Sequence, residues 1–214
     1  MKPDPRIVRG LRAQLELRGK LLEGGAHRVG WKVGFNTPVA KEMLALEAPV
    51  AGFLTSATVL APDQPCPVAR ATNPVAESEV AIEVGAGGSV AALGAAIEVV
   101  DLDRPLEDLE ELIARNIFHR AVLLGPRVVG AELTGVEARV LVNGEEHETV
   151  DALAATGEPR DVLDHMASVL ALAGEELAEG DVVIAGAMSL VRPRPGDRVR
   201  LELGELGAAE VPFA

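Results

Sequence analysis

The sequence predicts an α+β fold in which a few helices pack outside a curled, mixed β-sheet. Three observations support this class: an opening segment with helical spacing of apolar residues, many short segments with apolar alternation, and glycine-containing turns between them. The chain has 214 residues, 48% of them apolar, which is enough to bury one substantial core. We therefore expect one domain over residues 1–214, with an N-terminal helix in 1–25 and the sheet in 28–214.

The first elements follow from spacing and capping residues. Apolar residues recur at helical spacing up to Gly24-Gly25, which predicts an amphipathic helix that ends there. Residues 28–34 alternate as a strand does, and from Gly30 onward one of its faces offers only glycines and Lys32. Thr37, which precedes a proline, predicts the N-cap of a short helix.

The later elements follow from alternation and turn signals. Residues 75–84 and 95–101 predict two strands separated by a glycine-rich stretch. Residues 139–150 predict a hairpin that turns at Asn143-Gly144, and residues 159–177 predict a helix. Three closing strands are expected after turns at residues 180–181, 195–197 and 204–207.

The composition excludes several classes of function. The chain has 33 acidic and 20 basic residues and a formal net charge of −13, so its surface repels nucleic-acid phosphates and anionic membranes. No apolar run approaches the ~20 residues that span a bilayer. The single cysteine, Cys66, cannot form an internal disulfide. We therefore expect a soluble, cytoplasmic protein that binds neither nucleic acid nor a membrane.

Three glutamates are the strongest candidates for a functional site. Strand alternation places Glu77 and Glu79 on one face, with attachment points ~7 Å apart, where two charges repel by roughly 2 kcal/mol. Water screens them, one is protonated, or a cation lies between them. Glu98 interrupts an apolar string and needs a partner. Three carboxylates without a close histidine or thiolate suit Mg²⁺, Mn²⁺ or Ca²⁺ rather than Zn²⁺, although the Glu-x-Glu pattern is also common on solvent-facing strands.

Lys32 and His119 are further candidates. The glycines beside Lys32 leave room for a ligand, so its ammonium could bind a substrate carboxylate or transfer a proton, or else simply extend to water. Among the four histidines, which are scattered along the chain, His119 is the first to inspect. The sequence has no dinucleotide, phosphate-loop or hydrolase-serine motif, so nucleotide cofactors are disfavoured.

Three segments carry a resemblance to a known family: VGWKVGFNTP at residues 29–38, AESEVA at 76–81 and AIEVVD at 96–101. In order and residue type they resemble the 2-keto-4-pentenoate hydratase branch of the fumarylacetoacetate hydrolase superfamily. The similarity resumes at residues 157–159 and 177–188. The resemblance implies the fold of that family, a curled β-sheet roll or pseudo-barrel with peripheral helices.

The same resemblance implies roles for the candidate residues. Glu77, Glu79 and Glu98 would hold Mg²⁺ or Mn²⁺, which in the family chelates the keto and carboxylate oxygens of a 2-oxo acid, and Lys32 would assist catalysis. The sequence departs from the family pattern at Ala57, near which an acid is missing, and at Phe118, near which a serine is missing.

The resemblance implies a metal-dependent hydratase acting on a 2-hydroxy-2,4-dienoate from aromatic catabolism. Decarboxylation of an oxalocrotonate-type acid and hydrolysis of an acylpyruvate start from the same chemistry and remain alternatives. A non-catalytic metal-binding relative, or a scaffold for an enzyme such as a decarboxylase, is the alternative that the two departures favour. The family and the apolar composition also predict a homo-oligomer.

Overall fold

The structure is a computed structural model that describes residues 3–214. In these residues the α-helices are α1 (Pro5–Glu23), α2 (Pro38–Leu44), α3 (Leu109–Ala114), α4 (Ala152–Thr156) and α5 (Pro159–Ala171). The strands are β1 (Arg28–Gly34), β2 (Val50–Thr55), β3 (Pro74–Val84), β4 (Val90–Asp101), β5 (His119–Val129), β6 (Glu137–Val142), β7 (Glu145–Asp151), β8 (Val182–Ala185), β9 (Leu190–Val191), β10 (Arg198–Glu202) and β11 (Ala208–Pro212). No helix in this part of the chain is long and apolar enough to cross a membrane.

The strands form two sheets. The larger has seven strands in the order β2-β1-β8-β3-β4-β5, with β9 beside β3, and the smaller has the order β11-β10-β6-β7. Strand β1 pairs in parallel with β8, whereas the other pairs of the larger sheet are antiparallel. The predicted α+β class with a mixed sheet is therefore confirmed, although within residues 3–214 the larger sheet is an open path and not a closed barrel.

Local signals set most of the predicted boundaries. Helix α1 starts where the Asp4 side chain accepts a hydrogen bond from the Arg6 amide, and helix α2 is capped by Thr37 in the same way. Helix α5 ends at Ala171, earlier than predicted, because Gly174 has a positive φ of 76° and cannot continue a helix. The β6–β7 hairpin turns at Asn143-Gly144 as predicted.

Two strand predictions need correction. Strand β4 begins at Val90, five residues before the predicted start, because its pairing with β3 extends to Val84 at the end of the hairpin. The segment 109–129, which contains α3 and β5, was not predicted. Strand β5 completes the larger sheet beside β4 and thereby brings His119 next to the candidate acids.

The candidate acids share one face of the larger sheet with a small apolar cluster. This cluster consists of Leu54, Ala81, Ala96, Val122, Val182 and Ile184. Glu79 lies two residues from Ala81 on β3, and Glu98 lies two residues from Ala96 on β4, so each acid shares a face with its alanine. The opposite face packs into the main core, which includes Val80 and the other large apolar side chains of the sheet. The acids are thus placed inside the protein by strand alternation.

Candidate metal centre

The β3–β4 hairpin brings the three predicted glutamates together. Glu77 lies directly opposite Glu98 in the antiparallel register, and Glu79 follows two residues later on the same face. One oxygen from each of the three carboxylates lies within 4.8 Å of the others. Glu79 is 1% exposed and Glu98 is 0% exposed, whereas Glu77 is only partly buried. The sequence predicted the shared face of Glu77 and Glu79, and the pairing of strands adds Glu98.

Two oxygens of this cluster lack a partner among the residues that the structure describes. Glu79 Oε2 and Glu98 Oε2 are both buried and accept no hydrogen bond from residues 3–214. A buried carboxylate oxygen without a partner costs roughly 1–3 kcal/mol or more, so proteins seldom keep two side by side without a ligand. An all-oxygen set of this kind fits a hard divalent cation such as Mg²⁺ or Mn²⁺. The residues present therefore fit the metal that the sequence suggests.

Lys32 lies inside the cluster and does not extend to water. Its side chain is 3% exposed, and its Nζ donates to Glu98 Oε1 and, at 3.0 Å, to the carbonyl oxygen of Ile117. The stem is accommodated by Gly52 on β2, where a Cβ would lie only 2.6 Å from Lys32 Cγ. The flanking glycines were expected to leave room for a ligand, but the β8 backbone fills the space beside Gly30 and the Ile117 side chain fills the space beside Gly34. These glycines therefore allow close packing of the protein itself.

His119 is the second group that contacts Glu98. Its Nδ1 lies 2.7 Å from Glu98 Oε1, and its Nε2 lies 2.9 Å from Thr58 Oγ1. The ring is buried, with a side-chain exposure of 2%. Oε1 of Glu98 therefore accepts from both Lys32 and His119, while Oε2 is left for another partner. No spacing in the sequence links His119 to Glu98, because the contact depends on how β5 pairs with β4.

A left-handed turn presents the Ile117 carbonyl to Lys32. Asn116, Ile117 and Phe118 all have positive φ, at 60°, 50° and 61°. Three such residues in succession are strained by about 1–3 kcal/mol each. The side chain of Asn116 fixes the turn by accepting from the Phe53 amide at 2.7 Å and donating to the Phe53 carbonyl at 2.9 Å. No pattern in the sequence indicates this strain.

Burial and mutual repulsion shift the protonation of the cluster. Burial, reinforced by the charge of Glu98, raises the pKa of Glu77 to about 7 and raises the pKa of Glu79 well above its ordinary value. Burial alone would also raise the pKa of Glu98, but Lys32 and His119 lower it below its ordinary value. Burial lowers the pKa of His119 despite its bond to Glu98. The cluster thus contains more carboxylates than its one buried lysine can neutralise.

A cavity of about 170 Å³ opens beside Lys32 and Glu77. Its walls come from the end of β1 and the segment that follows, from α2, from the end of β4, from the left-handed turn and from β9. Larger depressions of about 610 and 1050 Å³ lie elsewhere and include none of the three glutamates. Of these three cavities, the one beside the cluster is where a substrate can reach a candidate metal ligand, Glu77.

Known proteins share both the sequence pattern and the fold. The chain is 26% identical to a 4-oxalocrotonate decarboxylase of Pseudomonas putida, over 99% of this chain and 87% of the relative. It is also 26% identical to a 2-keto-4-pentenoate hydratase of Paraburkholderia phymatum, over 89% of this chain and 79% of the relative. The structure of 4-oxalocrotonate decarboxylase from Pseudomonas putida G7, complexed with magnesium and adipate, superposes with a TM-score of 0.85 at 21% identity, covering 94% of this chain and 83% of that one.

A family model matches this chain over a much longer range than the short motifs do. The family model described as fumarylacetoacetate (FAA) hydrolase C-terminal covers residues 29–214, which is most of the chain. The matched region includes strands β3 and β4, which carry the three glutamates, and Lys32 of β1. The chain therefore belongs to the fumarylacetoacetate hydrolase family.

Proposed function

We propose that this protein is a divalent-metal-dependent enzyme that acts on a small 2-oxo acid, as a hydratase of a 2-hydroxy-2,4-dienoate from aromatic catabolism. The observation that supports the proposal is the convergence of three carboxylates, with two unpartnered buried oxygens, beside a cavity. Glu77, Glu79 and Glu98 would hold Mg²⁺ or Mn²⁺. When bound, the cation would withdraw electron density from the keto group and stabilise an enolate.

In this proposal Lys32 has a catalytic role. Its ammonium has three donors, of which Glu98 and the Ile117 carbonyl use two. Lys32 also lines the cavity, so the third donor is available to bind a substrate oxygen or to deliver a proton. Because its contact with Glu98 lies away from water, the ammonium is held in one position before substrate binds.

Two alternatives keep the same site. Decarboxylation is supported as well as hydration by the relatives, because the named decarboxylase and hydratase are equally similar to this chain. Acylpyruvate hydrolysis would use the same polarised keto group. A non-catalytic metal-binding protein or scaffold is favoured by the replacement of the family serine by Phe118, which lines the cavity.

Metal-dependent turnover tests the proposal. Chelator-treated protein receives Mg²⁺ or Mn²⁺ and is assayed with 2-hydroxypenta-2,4-dienoate and with 4-oxalocrotonate, by loss of ultraviolet absorption and by mass spectrometry of the products. Gain of water, loss of carbon dioxide or carbon-carbon cleavage distinguishes the reactions. Glu79→Gln and Lys32→Met should abolish turnover, whereas Glu83→Gln, the same change as Glu79→Gln on the same strand but paired with Arg127, should not. If none of these acids shows a metal-dependent change, an enzymatic role is contradicted.

A further inference from the structure

The cavity beside the glutamates has an unusual balance of charge for a site that binds organic acids. Within residues 3–214, the only cationic side chain among its lining residues is Lys32, and its ammonium already pairs with Glu98. The other charged lining residue is Glu77, which belongs to the acidic cluster. The walls away from the cluster therefore offer no free positive charge to a ligand.

Arginines do occur nearby, but on the far side of a wall. Phe118 separates the cavity from a second, smaller one of about 80 Å³, which three arginines line. Each guanidinium there pairs with a carboxylate: Arg104 with Asp103 at 2.8 Å, Arg120 with Asp103 at 3.0 Å and Arg115 with Glu111 at 3.1 Å. These cations are thus both separated from the cavity and already engaged in ion pairs.

The walls themselves are apolar and close together. Phe35, Leu102, Leu106 and Phe118 line the cavity from different segments, and its neutral polar lining comes from Asn36 and Thr37. Its volume of about 170 Å³ lies below the ~300–1,000 Å³ typical of sites for drug-sized ligands. Asn36 and Thr37 could offer a distal carboxylate only neutral donors, so it would lose its water without gaining a cation, which is unfavourable. The net charge of −13 adds long-range repulsion against each further negative charge.

We infer that the site selects 2-oxo acids with a single carboxylate and a short uncharged tail, and discriminates against those with a second carboxylate at the far end. The inference rests on the proposed function, because it takes the keto and first carboxylate groups to be the part that meets the metal. The tail then lies along the apolar walls. Of the two reactions named by the relatives, this selectivity fits a dienoate with an uncharged end better than an oxalocrotonate-type diacid.

Two five-carbon 2-oxo acids that differ only at the far end test the selectivity. The full chain loaded with Mn²⁺ is titrated with 2-oxopentanoate and with 2-oxoglutarate in a calorimeter. We expect 2-oxopentanoate to bind at least about tenfold more tightly, because the unpaired distal carboxylate opposes binding. Leu106→Arg should strengthen 2-oxoglutarate binding about tenfold, while the neutral Leu106→Gln should not. Circular dichroism shows whether each variant is folded.

The outcomes separate the selectivity from the proposed function. Equal or tighter binding of 2-oxoglutarate to the wild type would overturn the inference and leave the 2-oxo acid function standing. Binding of neither acid to protein that binds Mn²⁺ would overturn the proposed function and the inference with it. A wild-type preference that a folded Leu106→Arg leaves unchanged would show that the uncharged wall is not its cause. If that variant does not fold, the wild-type comparison still decides.

Discussion

Strand β1 contributes to two clusters of buried charge that differ in their balance. On one face, Lys32 supplies a single positive charge to three carboxyl groups. On the other face, Trp31 joins a network of two arginines and two acids. Because consecutive residues of a strand point to opposite faces, the two clusters lie on either side of the larger sheet.

The carboxylate of Asp181, at the centre of the network around Trp31, is fully paired. Asp181, which is 4% exposed, accepts from Arg28 Nε at 2.6 Å, from Trp31 Nε1 at 3.1 Å and from the Ala178 amide at 2.9 Å. The guanidinium of Arg18 lies 4.8 Å from the Trp31 ring centroid and that of Arg28 lies 5.4 Å from it. Both oxygens of Asp181 have donors, so this carboxylate has no need of a ligand.

The contrast distinguishes a fully paired buried carboxylate from buried carboxylates with unpaired oxygens. Burial alone does not distinguish them, since Asp181 and Glu79 are both almost fully covered. The difference is that both oxygens of Asp181 have donors, whereas Glu79 Oε2 and Glu98 Oε2 have none within the described part of the chain. An excess of buried acceptors stores unfavourable energy that a cation relieves on binding. Variants in the two clusters should therefore affect different properties of the protein.

The largest expected effect is on metal binding by Glu79→Gln. Removing a residue that only hydrogen-bonds to a metal ligand weakens metal affinity ~10–100-fold. Removing a charged ligand itself should therefore weaken it about 1000-fold or more. The metal-free variant should be more stable than the wild type, because an acid that is buried beside Glu98 and Glu77 is replaced by a neutral amide. Mn²⁺ titration followed by electron paramagnetic resonance measures the first effect and urea unfolding the second. An unchanged Mn²⁺ affinity would contradict the assignment of Glu79.

The stability of the metal-free protein should fall as the pH rises toward neutrality. The pKa of Glu77 is raised from 4.5 to about 7, so the folded protein keeps a proton that the unfolded chain releases. This contribution is fully present below the ordinary pKa and is lost as the pH rises through the folded one, by up to about 3 kcal/mol. Glu79 acts in the same direction.

Urea unfolding of wild type and Glu77→Gln between about pH 5 and 8 isolates this contribution. The comparison is needed because His119, with its lowered pKa, has the opposite effect: its contribution to stability is lost as the pH falls below its ordinary value of 6.5. If the stability of the wild type rises with pH relative to that of Glu77→Gln, the raised pKa of Glu77 is wrong. Saturating Mn²⁺ should remove the difference in slope, because the bound carboxylate has no proton to lose.

A smaller effect, on stability alone, is expected in the balanced network. Asp181→Asn removes the charge that pairs with Arg28 and should lower the free energy of unfolding by about 2 kcal/mol. Asp164→Asn, on an exposed pair with Arg160, is the matched control and should change it by less than about 0.5 kcal/mol. Mn²⁺ affinity should be unchanged in both variants. A large loss of affinity in folded Asp181→Asn would mean that the two clusters are coupled across β1.

The sequence could identify the three acids of the cluster because their signals are local. Alternation placed Glu77 and Glu79 on one face, and an acid within an apolar string identified Glu98. The direct pairing of Glu77 with Glu98 was less accessible, since it required β4 to start at Val90 and not at 95. Glu77 and Glu98 are nearly the same number of residues from the glycine-rich turn, as two residues paired in a hairpin are. The shorter predicted strand did not extend back to that turn, so the sequence did not predict their pairing.

The surroundings of the site depend on contacts between distant residues. The left-handed turn is fixed by hydrogen bonds between Asn116 and Phe53, which are 63 positions apart. No local sequence pattern therefore predicts it. Helix α3 has only six residues, and its main signal is the Asp108 cap on the Glu111 amide. Strand β5 contains Pro126, and a proline in a sequence usually indicates that the segment is not a strand. The structure accommodates it because β5 lies at the edge of the larger sheet.

The smallest expected effect concerns His119, the residue whose contact the sequence did not reveal. Because a carboxylate only accepts, Nδ1 donates to Glu98 Oε1 and, together with Lys32, fixes the carboxylate so that Oε2 is free for a cation. His119→Leu should therefore weaken Mn²⁺ binding about tenfold. His119→Asn, whose amide can replace the Nδ1 donor, should recover part of the affinity, whereas Thr58→Val, at the other ring nitrogen, should change it less than His119→Leu. Equal losses in His119→Leu and His119→Asn would mean that the ring contributes packing and does not orient Glu98.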